Sequence, residues 1–167
     1  MGISVIPAPS AASKTMFRTT LTSGTSYTVP TGVTYLNVTL YGGGGGGSGG
    51  GNNANNGNTG GTTTFTGATS AAGGLGGTKG GRDDDTNGQS ANANTGLGGQ
   101  TAYYTENGSG QFIGGDGFMG DITRSTLSAT AGATISYAIG AGGTGGSGTL
   151  ITGGTGGSGK IEVEYWA

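Results

Sequence analysis

The sequence predicts an all-β protein: a small β-sandwich formed by the two chain ends, with a long glycine-rich insert packed as extended left-handed helices of the polyglycine II type. Three observations predict it. Glycine takes 44 of the 167 positions, several times its usual share of about 7%. Large apolar residues gather at the ends, with 15 in residues 1–41, 11 in residues 121–167 and only 9 in between. Those at the ends alternate with polar residues at the two-residue period of strands, and no stretch carries a helical period.

The chain opens on an arm, residues 1–14. Ile3, Val5 and Ile6 are its apolar side chains, and Pro7 and Pro9 keep it extended and block a helix. An arm of this kind orders against a partner. Residues Met16 to Leu21 form the first candidate strand, with Phe17 and Leu21 on one face. Ser26 to Val29 is a short strand leading into a turn at Pro30 and Gly32. From Thr34 to Tyr41, Leu36, Val38 and Leu40 face one side while Asn37 and Thr39 face the other.

Toward the C-terminus, Thr126 to Ala129 precede a hairpin turn at Ala131-Gly132, and Ile135, Tyr137 and Ile139 alternate with Ser136 and Ala138. In the last strand, Ile161, Val163 and Tyr165 point inward and Glu162 and Glu164 outward. Leu36, Val38, Leu40, Ile135, Ile139, Ile161 and Val163 are the expected core. The material suffices for two four-stranded layers. The β-domain is thus residues 15–41 and 121–167, with glycine-rich loops of its own, and the insert is 42–120.

Six glycine runs stand out: 42–51, 73–81, 96–99, 114–120, 140–148 and 153–159. Two of them read as Gly-Gly-X triplets, Gly142 to Ser147 and Gly153 to Ser158. A period of three matches an extended left-handed helix with no internal hydrogen bonds. Its amide and carbonyl groups need partners. Side-by-side packing supplies them, and only glycine lets backbones approach that closely. The competing expectation is a flexible linker, but ordering each residue costs about 1–2 kcal/mol, and six runs separated by polar turns suit a bundle better than one spacer.

The composition excludes several functions. There is no Cys and no His, so thiolate metal sites, cysteine nucleophiles and Ser-His-Asp triads are absent. Six basic against eight acidic residues leave no footprint for nucleic acid. No apolar stretch is long enough to insert in a membrane, and the first residues do not read as a signal peptide. The paired acids Asp116 and Asp121, or Glu162 and Glu164, come with no cleft signal, so no enzyme activity and no cofactor are expected.

Two motifs stand out in the insert. Asp83, Asp85 and Asn87, followed by Gly88, match the first half of a calcium loop; the position for its closing glutamate is Asn94, and a solvated turn is the competing reading. Tyr103, Tyr104, Phe112, Phe118 and Met119 are either a binding surface, since exposed Tyr gives large contact at low entropy cost, or a satellite core.

The segment Thr28-Val29-Pro30-Thr31-Gly32-Val33-Thr34, the strand ending Asn37-Val38-Thr39-Leu40-Tyr41 and the glycine run that follows resemble the glycine-rich domain of bacteriophage tail and fibre proteins. Thr130 to Gly143 resembles its second landmark, and the Gly-Gly-Ser-Gly run into Lys160 to Tyr165 its closing strand. The resemblance spans about residues 15–167. It implies a structural virion protein, a tail-fibre or fibre-tip component of adhesin type, with no catalytic residues. Its partners would be other virion proteins and a host-surface glycan or outer-membrane protein, in a homo-oligomer that fibres often build as a trimer. On that reading Ile3, Val5 and Ile6 attach to the virion, while Asp83, Asp84, Asp85, Tyr103, Tyr104 and Glu106 meet the host. A capsid-decorating or head-fibre protein of the same fold, and a non-viral extracellular adhesive protein, are the alternatives.

Overall fold

The computed structural model describes residues 13–50, 54–78, 96–99, 115–148 and 152–167. Among them there is no helix, and seven strands follow in order: β1 (Met16–Leu21), β2 (Ser26–Thr28), β3 (Tyr35–Tyr41), β4 (Thr64–Phe65), β5 (Ile122–Ser128), β6 (Thr134–Ala138) and β7 (Lys160–Trp166). They build two antiparallel sheets. One has the order β1-β7-β3-β5 and the other β2-β6-β4. The larger sheet is held in register by Leu21 opposite Ile161, Val38 opposite Val163, and Leu36 opposite Leu127.

One apolar cluster joins the two sheets, consistent with a β-sandwich. Leu36, Val38 and Leu40 of β3 and Ile161 and Val163 of β7 meet Tyr27 of β2, Phe65 of β4 and Tyr137 of β6. The strict alternation of β3 and β7 places every second residue inside, which is the strand period expressed as burial.

The structure corrects four expectations. The layers have four and three strands, not four and four. Ile135 and Ile139 are half-buried at the edge of the core rather than within it. The turn at Ala131-Gly132 does form, with Ala133 N–H donating to Thr130 C=O at 3.0 Å and Gly132 at φ 79, but it carries the chain from β5 in one sheet to β6 in the other. The middle of the chain also feeds the core, through Phe65 at 2% exposure.

The outer face of the larger sheet carries ion pairs. Arg18 pairs with Glu164, and Lys160 Nζ sits 2.7 Å from Glu162 Oε1 and 4.5 Å above the Tyr41 ring. The hydrogen bond from Lys160 is the main cause that holds the Glu162 carboxyl below its ordinary value of 4.5, and attraction from Lys160 and Arg18 and the Tyr41 hydroxyl add to it, against burial. A carboxylate lowered by folding stabilises fully above its unfolded value, and that contribution fades as pH falls through the lowered value. Glu162→Gln is therefore expected to flatten the decline of melting temperature between about pH 5 and pH 3, measured by scanning calorimetry in parallel with the parent.

The glycine array and its far end as the candidate functional site

β3 runs straight into segment 42–49, and the hydrogen bonds of this segment repeat every three residues. The amides of Gly42, Gly45 and Ser48 donate to segment 115–121, at Asp121, Phe118 and Gly115. Those of Gly43, Gly46 and Gly49 donate to Gly61, Asn58 and Asn55 of segment 54–62. Gly44 and Gly47 donate to Gly157 and Gly154 of segment 152–159. The carbonyls of 42–49 accept on the three directions between: Gly43 from Gly74, Gly44 from Gly143, and Gly45 from Gly99.

Segment 42–49 is thus the hub of six others, whose own bonds close a ring. Around it the order is 54–62, 71–78, 115–121, 96–99, 152–159, 139–148 and back to 54–62, through pairs such as Gly60 to Gly74, Phe118 to Leu75, Gly120 to Gly96, Gly157 to Leu97, Gly156 to Gly143, and Asn58 to Thr144. Donating and accepting neighbours of the hub alternate around the ring. Backbone groups buried far from any sheet are paired in this way.

Glycine is needed here for space. A Cβ on Gly44, Gly45 or Gly46 would lie inside 3.0 Å of the backbone of Leu97, Leu75 or Thr144. Positive φ plays little part, since Gly96 is the one described glycine of the six runs that has it. Gly32 and Gly132 are the opposite case: nothing lies within 4 Å of their Cβ position, and φ values of 78 and 79 alone call for glycine.

The Asn-rich segment 54–62 lies outside the six glycine runs of the sequence, yet it is a full member of the ring. Its signal is Ala54, Gly57 and Gly60 at every third position. Its outward side chains form a ladder with the neighbouring segment: Asn55 Nδ2 donates to Ser147 Oγ at 2.9 Å and Asn58 Nδ2 to Thr144 Oγ1 at 2.6 Å. Thr63 is a second residue that sequence reasoning missed. Wholly buried, its hydroxyl donates to Tyr41 C=O at 2.7 Å and accepts from Gly140 N–H at 2.9 Å, clasping the base of the array to the end of β3.

The array has two distinct ends. Near the sheets lie Gly42 with Asp121, Gly159 with Gly140, and Gly96 with Ser158. At the far end Gly49 meets Asn55, Ser48 meets Gly115, Gly115 meets Thr78 and Asn55 meets Ser147. The described chain therefore breaks off at the far end after Gly50, Thr78 and Gly148, and resumes there at Ala54, Gly115 and Thr152. Segment 96–99 runs outward, from Gly96 beside Ser158 to Gly99 beside Gly45.

The candidate residues of the sequence reading lie outside the described residues: Ile3, Val5 and Ile6 in the arm, Asp83, Asp84, Asp85 and Asn87 in 79–95, and Tyr103, Tyr104 and Glu106 in 100–114. Phe118 and Met119 are described, at 64% and 53% exposure, and so belong to no satellite core. Among the described residues no group of three or more His, Cys, Asp or Glu could hold a metal ion, and no helix is long and apolar enough to cross a membrane. An open groove of about 310 Å³ on the outer sheet face is lined by Asn37, Thr39, Arg124, Ser125, Thr126 and Glu164. Its one carboxylate is already taken by Arg18. Neither a protein-family model nor a curated protein sequence matches the chain.

Proposed function

We propose that the glycine segments form a bundle of left-handed polyglycine II-like helices, and that the chain is a structural virion protein of a bacteriophage. In this reading it is a tail-fibre or fibre-tip component that meets the host surface with residues 79–95 and 100–114, which follow Thr78 and precede Gly115 at the far end of the array. The three-residue hydrogen-bond repeat and the hub-and-ring arrangement support the helix assignment.

The observation that carries the functional reading is polarity. β1 pairs with β7 so that Leu21 lies opposite Ile161, next to the array, while Met16 lies opposite Trp166 at the other pole. The arm that precedes β1 thus departs from the pole opposite the end where Thr78 and Gly115 stop the described array. A protein anchored at one pole and read at the other needs a stiff spacer between them, and a hydrogen-bonded glycine bundle is one. Residues 79–95 connect Thr78 at the far end to Gly96 near the sheets, and residues 100–114 connect Gly99 to Gly115 at the far end; recognition tends to reside in such connecting segments. A host glycan or outer-membrane protein is the expected partner.

The test replaces Asp83, Asp84, Asp85 and Tyr104 with Ala and measures phage adsorption and melting temperature together. Lost adsorption with unchanged melting is the expected result. Unchanged adsorption removes these residues from the recognition surface, and a large drop in melting temperature assigns them a structural or calcium-binding role.

A further inference from the structure

The ring has two unlike sides. Segments 54–62, 139–148 and 152–159 turn Asn, Thr, Ser and Ala outward. The other three turn out Leu75, Phe118, Met119 and Leu97, which are 65%, 64%, 53% and 47% exposed, and Ile122 follows at the base at 45%. The first four share one height, and Ile122 lies below them beside Tyr41. Phe118 N–H bonds Leu75 C=O, and Leu75 and Leu97 back onto the adjacent hub residues Gly45 and Gly44. They form an apolar belt across three neighbouring segments, with Asp116 and Asp121 at its two margins.

We propose that this belt is a self-association surface, in which the belt of one copy packs against the belt of a second. Five large apolar side chains about half exposed offer roughly 400–600 Å² of apolar surface. That is about the size of the largest apolar patch on a typical soluble protein, which is often a functional surface. Two such belts face to face bury about 1,000 Å², the least expected of a biological interface, and the polar rim around them adds to it. The belt itself bears no charge by which to select an unlike partner and no polar group to hold a sugar. An isologous pairing satisfies it with its own kind, and the two aspartates stay at the wet rim.

Two methionines supply an internal control, because Met16 and Met119 are almost equally exposed in the single chain, at 52% and 53%. The experiment follows peroxide oxidation of both residues by mass spectrometry across a dilution series of the full chain, with sedimentation velocity on the same samples. Association with Met119 oxidised several-fold more slowly than Met16, and the two rates converging on dilution, is the expected result. A chain that sediments as a monomer throughout, or associates without shielding Met119, overturns the proposal. So does slow oxidation of Met119 in the dilute monomer, which would mean that the chain covers its own belt. Replacing Leu75, Leu97, Phe118 and Met119 together with Thr, the residue type of the opposite side, is expected to give a monomer of unchanged melting temperature. Phe118→Thr alone is expected to weaken association at least tenfold, and either variant associating like the parent overturns the proposal.

Discussion

Gly45→Ala is expected to be among the most damaging single-methyl additions this chain can receive. Gly45 is in the middle of the hub segment, and its added Cβ would fall inside 3.0 Å of the Leu75 carbonyl and the Gly74 oxygen. Both are backbone atoms of a neighbour bonded on several sides, so no rotamer change makes room. Separating the two segments strains a packed region, at about 1–3 kcal/mol, and leaves buried amides and carbonyls without partners, at about 1–3 kcal/mol each. With one amide and one carbonyl left unpaired the sum is about 3–9 kcal/mol, a large part of the 5–15 kcal/mol that holds a typical domain together. Two controls isolate the cause. Leu75→Ala removes an outward side chain from the very residue that Gly45 abuts, and is expected to change the stability of the monomer by no more than about 0.5 kcal/mol. Gly32→Ala meets open space and carries only the cost of a left-handed backbone, about 1–2 kcal/mol. Thermal and urea unfolding of the three variants checks this ranking.

Phe65→Ala carries the second large effect, expected at about 3–5 kcal/mol. Phe65 is in a two-residue strand, with Thr64 opposite Ala138 and Phe65 opposite Tyr137. Its ring centroid lies 6.2 Å from that of Tyr27 and 6.4 Å from that of Tyr137, so it fills the space between two aromatic residues of the smaller sheet. The backbone of β4 cannot sink into the void, because it is pinned on one side by β6 and on the other by the Thr63 bridge to Ala71. The Tyr27 hydroxyl is already buried without a partner, and burial pushes its phenol above the ordinary value. Phe65→Leu keeps most of the volume and is expected to lose less than half as much. A loss below about 1 kcal/mol for Phe65→Ala would mean that the middle of the chain does not support the sheets.

How much of this could be read beforehand differs by element. β3 and β7 were legible because strict alternation is the same signal in sequence and in burial. β1 was legible to the residue. β4 was not, because two residues carry no period and Phe65 is flanked by threonines. The partition of β5 and β6 between sheets was hidden as well, since a turn with glycine at φ 79 serves a hairpin and a crossover equally. In the glycine region the triplets of 142–147 and 153–158 pointed to period three. Segment 54–62 escaped because only one position in three faces the hub, and the other two are free to be Asn or Thr. The same rule explains Phe118 and Met119, which follow Gly117 and precede Gly120: the glycines take the inner positions and leave the large residues outside. Of the candidate site, six of the seven array segments were legible as glycine runs, while its proposed contact residues lie outside the described residues. The end of the array to which each loop attaches was not legible, because it depends on whether segment 96–99 runs outward or back, and its four residues carry no direction.

Amide hydrogen exchange along 42–49, read residue by residue by NMR, tests the hub most directly. Each amide from Gly42 to Gly49, leaving aside the end of the run, is bonded to another segment and walled in by the ring. Gly43 to Gly47 are expected to exchange as slowly as Val38 and Leu40 in β3, with protection lost together when Gly45→Ala is introduced. Exchange of these five glycine amides at the rate of an open chain, while β3 remains protected, would contradict it.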